Sequence, residues 1–105
     1  MKLSVLPDTD KLVIRIDEPR IDAAIATQFK DAMRRLINQQ DGTVLLDMEQ
    51  VDFMDSSGLG AVISVYKSLP PGRGFELRHL TPNVDRVFRL TRMDSVFTIH
   101  PQAPA

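Results

Sequence analysis

The sequence has no cysteine, and only two of its 105 residues are histidine. The lack of cysteine excludes disulfides, thiolate nucleophiles, iron–sulfur clusters and thiolate zinc sites. His79 and His100 are far apart along the chain, so a metal site would need carboxylates at positions that no motif marks. We therefore expect no metal ion and no other cofactor.

A large net charge and long apolar runs are also missing. The 13 basic and 14 acidic side chains give a net charge of -1, so the chain has no overall attraction to nucleic acid or to an anionic membrane. No apolar run approaches the roughly 18 residues of a membrane span, and Pro7 and Asp8 interrupt the N-terminal run too early for a signal peptide. We expect a cytoplasmic protein that contacts neither nucleic acid nor membrane directly.

What the sequence does contain is typical of one folded unit. Hydrophobic residues make up 43% and charged residues 26% of the chain, close to the roughly 45% and 25% of ordinary globular proteins. The length suits a single domain, which we place at residues 1–100, with residues 101–105 as a frayed C-terminal tail.

Apolar periodicity predicts two strands and a helix in the N-terminal part. Residues 12–16 alternate as in a strand before Pro19, and residues 3–5 fit a shorter strand that pairs with it. Asp22 can cap a helix, because apolar side chains then recur with the helical period. They are Ile25, Phe29, Ala32, Met33, Leu36 and Ile37. The chain thus opens as a hairpin followed by a helix.

The rest of the chain alternates strands and helices. Residues 44–46 are continuously apolar, as in a strand buried on both faces, and a second helix begins at a serine pair. Residues 75–80 predict a strand, a third helix runs from Pro82 to about Met93, and residues 96–99 fit a last short strand. This order predicts an α/β domain, a mixed β-sheet of four to five strands packed with three or more helices.

Ser56 and Ser57 stand where the second helix begins. One serine there is commonly the N-cap, worth about 0.5–2 kcal/mol, while Gly58 and Gly60 allow close approach of the backbone. Alternatively, an exposed hydroxyl beside the positive end of a helix accepts a phosphoryl group, whose negative charge that end tolerates. The residues leave both roles open, and each serine can have its own.

The segment around these serines resembles a known phosphorylation site. The resemblance lies in LDM at residues 46–48 and VDFMDSSGLG at residues 51–60, which closely match anti-anti-sigma factors, the single-domain STAS proteins that act as anti-sigma factor antagonists. Residues 20–22 and 80–84 resemble the same family more loosely. In this family a serine kinase phosphorylates the first hydroxyl residue after the aspartate, which corresponds to Ser56.

The resemblance implies a regulated binding protein and not an enzyme. The unphosphorylated form would bind an anti-sigma factor that is also a serine-protein kinase and release that partner's other ligand. Phosphorylation of Ser56 would block binding, and a serine phosphatase would restore it. The partner-binding residues implied by the family are Asp22, Met54, Asp55, Ser56, Ser57, Gly58 and Leu59.

One segment departs from the family. Where many relatives have Gly-Glu-Leu-Asp after the second strand, this chain has Pro19-Arg20-Ile21-Asp22, so a flexible turn becomes rigid and an acidic position becomes basic. Asp22 itself remains, either as a partner contact by resemblance or as the N-cap of the helix.

Other functions are less well supported by the residues. Asp47 ends a strand, as the phosphoacceptor of a receiver domain does, but the paired acids that hold Mg²⁺ there and the alternating βα order are missing. No G-x-S-x-G elbow or phosphate-binding loop is present, and a hydrolase would need His79 to approach the serines in space. The remaining alternative is a non-phosphorylated STAS scaffold or accessory subunit in transport or ligand sensing.

Two groups of side chains have open roles. Phe53 is expected in the core, whereas Met54 fits either the core or an exposed binding patch. Arg86, Arg89 and Arg92 form an outward arc on the third helix, which fits either a partner contact or a solvated helix face.

Overall fold

The computed structural model describes residues 1–101, which contain seven strands and three α-helices. The strands are β1 (Leu3–Leu6), β2 (Lys11–Ile16), β3 (Arg20–Ile21), β4 (Thr43–Asp47), β5 (Phe53–Met54), β6 (Phe75–Arg78) and β7 (Thr98–Ile99). The helices are α1 (Ala26–Gln39), α2 (Ser56–Lys67) and α3 (Pro82–Leu90), and a 3-10 turn follows at Met93–Ser95. Residues 102–105 of the expected tail lie outside the described part.

Five of the strands form one mixed sheet in the order β1-β2-β4-β6-β7. β1 and β2 are an antiparallel hairpin, and the three other neighbouring pairs are parallel. The expected α/β class, the opening hairpin and the mixed sheet are therefore confirmed. The hairpin also separates this fold from the βα alternation of a receiver domain.

The core lies between one face of this sheet and the helices. Side chains alternate between the two faces of a strand, so every second residue of β2 points to the same side. Those that join the core are at most 1% exposed: Leu12, Ile14 and Ile16. The buried residues of α1 are Phe29, Met33 and Ile37. The helical stripe predicted from the sequence thus supplies the buried face of α1.

The opposite face of the sheet carries paired charges. Glu76 on β6 accepts a hydrogen bond from Lys11 on β2 at 3.0 Å and lies 2.6 Å from Nε2 of His100. The hydrogen bonds with His100 and Lys11, in that order, hold the pKa of the Glu76 carboxyl below its ordinary value. On the neighbouring edge Arg15 pairs with Asp17 at 2.7 Å. The charges on this face therefore find their partners within the chain.

Two helix boundaries differ from those predicted. α1 begins at Ala26 after a short turn, rather than directly after Asp22. α3 ends at Leu90 rather than near Met93, because Arg92 adopts a left-handed backbone with a φ of 61°. A right-handed helix cannot continue through that conformation, and the 3-10 turn takes its place.

Candidate functional site

A separate two-stranded ribbon, which the sequence did not predict, leads into the serine pair. β3 and β5 run parallel, with Arg20 opposite Phe53 and Ile21 opposite Met54. Since successive residues of a strand point to opposite sides, Ile21 and Met54 are buried and Arg20 and Phe53 are exposed. We call residues 53–60 the serine segment. It contains β5 and the first five residues of α2.

Hydrogen bonds from two sides fix the chain that enters the serine segment. On one side, the backbone N–H of Asp52 donates to the Pro19 carbonyl at 2.8 Å. On the other, the Thr81 hydroxyl donates to the Val51 carbonyl at 2.5 Å, and the Asn83 amide donates to the Asp52 carbonyl at 3.3 Å. The backbone that leads into the serines is therefore held by hydrogen bonds from two sides.

Asp55, and not a serine, caps α2. Its Oδ1 accepts a hydrogen bond from the backbone N–H of Gly58 at 2.8 Å. The expectation of a serine N-cap is therefore wrong, because the preceding carboxylate already satisfies that N–H and suits the positive helix end. Ser56 and Ser57 are exposed, and the structure records no hydrogen bond of either hydroxyl within residues 1–101.

Gly58 holds the start of α2 against β3. A Cβ atom at Gly58 would lie 2.1 Å from the carbonyl oxygen of Ile21, far inside van der Waals contact. Gly60, two residues later, has nothing within 4 Å of the corresponding position. Of these two glycines, only Gly58 is needed for packing, and its contact with Ile21 ties the serines to the Arg20 strand.

The predicted partner-binding residues divide into a buried and an exposed group. The buried residues are Met54, which is 3% exposed, Leu59, which is 7% exposed, and Gly58. The residues that reach the surface are Asp22, Asp55, Ser56 and Ser57. Contact with a partner stays a prediction for the second group. The first group shapes the surface from below, and burial of Met54 corrects the expectation that it meets a partner directly.

The expectation that Phe53 lies in the core is wrong. Its side chain is 48% exposed, because the pairing of β5 with β3 turns Met54 inward instead. The guanidinium carbon of Arg20 lies 5.9 Å from the centre of the Phe53 ring, within the range of a cation–π contact. Arg20 and Phe53 thus place a cation and an exposed aromatic ring next to each other on the ribbon that leads into the serines.

Asp22 lies in the turn before α1 and does not cap that helix. Its Oδ1 accepts a hydrogen bond from the Ala24 N–H at 3.1 Å, and its carbonyl accepts one from the Ile25 N–H at 3.2 Å. Ile25 occupies the N-cap position without a side-chain hydrogen bond. Of the two roles left open for Asp22, the N-cap is wrong and the partner contact remains a prediction.

Asp47 is 1% exposed and anchors the loop that follows β4. Its Oδ2 accepts a hydrogen bond from Arg78 at 2.9 Å and lies 3.0 Å from Nδ1 of His79, while Oδ1 accepts the Glu49 N–H at 3.0 Å. Asp47, Glu49 and His79 offer atoms within 4.8 Å of one another that could hold a metal ion. Both Asp47 oxygens already have donors and Arg78 balances the charge, so the cluster is explained as an anchor. No hydrogen bond between His79 and either serine is recorded in residues 1–101, so the structure adds no support for a hydrolase.

The arginine arc is only partly present on α3. Arg89 pairs with Asp85 at 2.7 Å and lies 3.9 Å from Asp94, so its charge has partners within the chain. Arg86 is exposed on α3, and Arg92 is exposed beyond the end of the helix. A partner contact stays a prediction for all three arginines, since the ion pairs of Arg89 lie at the surface.

The serine segment does not line the cleft that lies beside α3. A cleft of about 550 Å³ lies beside α3, where Asp85, Arg89, Asp94 and His100 are among its lining residues, and none of its lining comes from residues 53–60. In residues 1–101, no helix combines the length and the apolar character needed to cross a bilayer.

Comparison with known proteins finds relatives over nearly the whole chain. The sequence model of the STAS domain matches residues 2–103. The anti-sigma-B factor antagonist of Listeria monocytogenes is 32% identical over 94 residues, which cover 88% of this chain and 81% of that protein.

Solved structures share the fold. An anti-sigma factor antagonist from Mycobacterium paratuberculosis gives a TM-score of 0.85 at 23% identity, covering 96% of this chain and 86% of that one. SpoIIAA of Bacillus in its phosphorylated form gives a TM-score of 0.66 at 22% identity, covering 96% and 93%. At these identities the likeness establishes the arrangement of strands and helices.

Proposed function

Because the chain belongs to the STAS domain family of anti-sigma factor antagonists, we propose that it is an antagonist whose binding is switched by phosphorylation of Ser56. The unphosphorylated chain binds an anti-sigma factor that is also a serine kinase and thereby releases that partner's other ligand. The phosphorylated chain does not bind, and a serine phosphatase returns it to the binding form. In this role the chain is a cytoplasmic binding protein and not an enzyme.

The observation that carries the proposal is the cap of α2. Asp55 accepts the hydrogen bond from Gly58 N–H, so the Ser56 hydroxyl is not needed to begin the helix. Ser56 is exposed at the first residue of α2, where a kinase can reach its hydroxyl. A serine that capped the helix would have to break that bond before it could react.

The transfer of phosphate needs a partner that brings ATP, since no phosphate-binding loop motif occurs in this chain. The Ser56 oxygen attacks the γ-phosphorus, the bond from that phosphorus to the bridging oxygen of ADP breaks, and the hydroxyl proton passes to a base of the kinase. The first backbone N–H groups of α2 have no helical carbonyl partner and favour the negative product. Dephosphorylation by the phosphatase is hydrolysis of the same phosphate ester.

Phosphate changes the free energy of the bound state more than that of the free state. In the free chain the group is hydrated and lies at the positive end of α2. In a complex it would lose water in an interface formed around a neutral hydroxyl, and the loss of water would strengthen its repulsion by the adjacent Asp55. Such a difference between free and bound states is what a switch of partners requires.

The test combines phosphorylation with binding. The wild type, Ser56→Ala and Ser57→Ala are incubated with Mg-ATP and each anti-sigma-type serine kinase encoded in the source genome, and intact mass is measured. We expect one phosphoryl group on the wild type and on Ser57→Ala, and none on Ser56→Ala. Phosphorylation of Ser56→Ala at Ser57 would contradict the assignment.

Calorimetry then measures the affinity of each form for the same kinase. We expect Ser56→Ala to bind, and the phosphorylated wild type and Ser56→Asp to bind at least about tenfold more weakly, a difference of about 1.4 kcal/mol. Equal affinities of all forms, with no phosphorylation, would instead favour the alternative of a STAS scaffold or accessory subunit whose serines are not modified.

A further inference from the structure

Phe53 is the one exposed aromatic residue among residues 1–101, where three other large apolar side chains, Val5, Leu90 and Val96, are also exposed. It is 48% exposed, whereas the adjacent Met54 is 3% exposed. Phe53 lies three positions before Ser56, and both belong to the serine segment. Aromatic side chains are enriched at the centres of protein interfaces, because they remove a large apolar area from water on binding.

Arg20 covers one side of this ring and has no acidic partner. Its guanidinium carbon lies 5.9 Å from the ring centre, and no ion pair of Arg20 is recorded in residues 1–101. The position is fixed by the backbone, since Arg20 and Phe53 are register partners in the β3–β5 ribbon. The close contact of Gly58 with the Ile21 carbonyl holds α2 against the same ribbon.

Arg20 also pairs with a part of the chain that is rich in acids. The loop and serine segment over residues 48–60 contain three acids, Glu49, Asp52 and Asp55, and no lysine or arginine. A partner that is complementary only to the acids would be repelled by Arg20. The charge at this position therefore discriminates among partners as well as attracting one.

We propose that Arg20 and Phe53 form a second contact of the docking surface, and that the cognate kinase meets them with a carboxylate beside an apolar hollow. The proposal rests on the function proposed above and adds the chemistry of the partner. The planar guanidinium donates two parallel hydrogen bonds to the carboxylate, while the uncovered side of the Phe53 ring enters the hollow. Ser56 then reports the phosphorylation state, and the Arg20–Phe53 pair selects the kinase.

The experiment measures binding of the kinase that phosphorylates Ser56 to four variants of the unphosphorylated chain. Arg20→Glu and Phe53→Ala change the proposed contact. Arg35→Glu is the matched charge control, because Arg35 is exposed on α1 and has no recorded ion pair in residues 1–101. Arg20→Lys keeps the charge but loses the fork of donors. Circular dichroism and thermal unfolding check that each variant folds.

We expect Arg20→Glu and Phe53→Ala each to raise the dissociation constant at least about tenfold, a difference of about 1.4 kcal/mol, and Arg35→Glu to change it less than twofold. Arg20→Lys should fall between wild type and Arg20→Glu. Affinity of the wild type should fall as salt rises, and the slope should be smaller for Arg20→Glu. Reversal of one acidic residue on the kinase should restore binding of Arg20→Glu and identify the carboxylate.

The outcomes separate this proposal from the proposed function. Wild-type affinity of both Arg20→Glu and Phe53→Ala, with Ser56 still phosphorylated and Ser56→Asp still weak, overturns the second contact and leaves the switch intact. An effect of Arg20→Glu on the phosphorylated chain alone would mean that Arg20 holds the phosphate, which also overturns it. A genome in which no serine kinase binds or phosphorylates the chain overturns both proposals.

Discussion

The start of α2 lies within the serine segment, and the start of α3 is hydrogen-bonded to the chain just before it. The polar side chains at these two helix starts have opposite roles. At α3 the Thr81 hydroxyl donates to the Val51 carbonyl and Asn83 donates to the Asp52 carbonyl. At α2 the cap comes from Asp55, and neither serine hydroxyl makes a recorded hydrogen bond within residues 1–101. The polar side chains at the start of α3 thus hold the backbone before the serines, whereas the serine hydroxyls at the start of α2 remain available for phosphorylation.

The difference shows how a reactive group can be both free and well placed. The hydrogen bonds from α3 and β3 fix the backbone before the serines, so the hydroxyls gain a defined position without forming bonds themselves. A fixed backbone lowers the conformational entropy that a kinase must remove when it binds the segment. The side chains of Thr81 and Asn83 therefore help to position the serine hydroxyls.

The largest effect is expected where the start of α2 packs against β3, at Gly58. Gly58→Ala places a methyl group 2.1 Å from the Ile21 carbonyl, so β3 or the start of α2 must move, and we expect a loss of about 3 kcal/mol of unfolding free energy. Gly60→Ala is the control, because its Cβ position is open and alanine favours the helix by about 0.5–1 kcal/mol. Urea unfolding measures both, and equal effects would show that the close packing against Ile21 is absent in solution.

A smaller loss is expected when the cap of α2 is removed. Asp55→Ala leaves the Gly58 N–H without its carboxylate acceptor, which should lower the unfolding free energy by about 1 kcal/mol. Asp55→Asn keeps an acceptor oxygen and should lose only part of that. The comparison would fail if Asp55→Ala were neutral and a serine variant were the destabilising one, because a serine would then be the cap.

The sequence predicted the larger elements because their periodicity extends over many residues. The predicted helical stripe has six apolar positions, five of which lie within α1, and the parallel strands have apolar runs typical of burial. The ribbon of β3 and β5 has two residues in each strand, which is too short for any period to appear. Its existence depends on contacts between residues more than 30 positions apart, such as Arg20 with Phe53.

The same limit explains the errors at the candidate site. Residue type alone favours burial of both Phe53 and Met54, so the sequence predicts Phe53 in the core and leaves two roles open for Met54. Only the pairing partner of β5 decides which side chain turns inward. The serine cap was wrong for a related reason, since Asp55, Ser56 and Ser57 are all good N-caps and the choice among them is set by where the helix begins.

Loss of the Thr81 hydrogen bond at the start of α3 should lower the unfolding free energy modestly and change the phosphorylation of Ser56 little. Thr81→Val removes the hydrogen bond to the Val51 carbonyl at similar volume, and we expect a loss of about 0.5–1.5 kcal/mol in urea unfolding. Thr81→Ser keeps the hydroxyl and serves as the control. Phosphate incorporation at Ser56 should still reach one group per chain, whereas a shift of phosphate to Ser57 would mean that the anchor selects the acceptor.

The smallest effect is expected from Ser57→Ala. This variant tests directly whether a serine hydroxyl at the start of α2 contributes to stability. Ser57 is exposed at the second residue of α2, its hydroxyl has no recorded hydrogen bond in residues 1–101, and alanine is at least as good a helix former there. The unfolding free energy should therefore change by less than about 0.5 kcal/mol, the range of ordinary surface substitutions. Phosphorylation of Ser56 should be retained. A loss similar to that of Thr81→Val would show that Ser57 fastens the segment after all, and the two helix starts would then be alike.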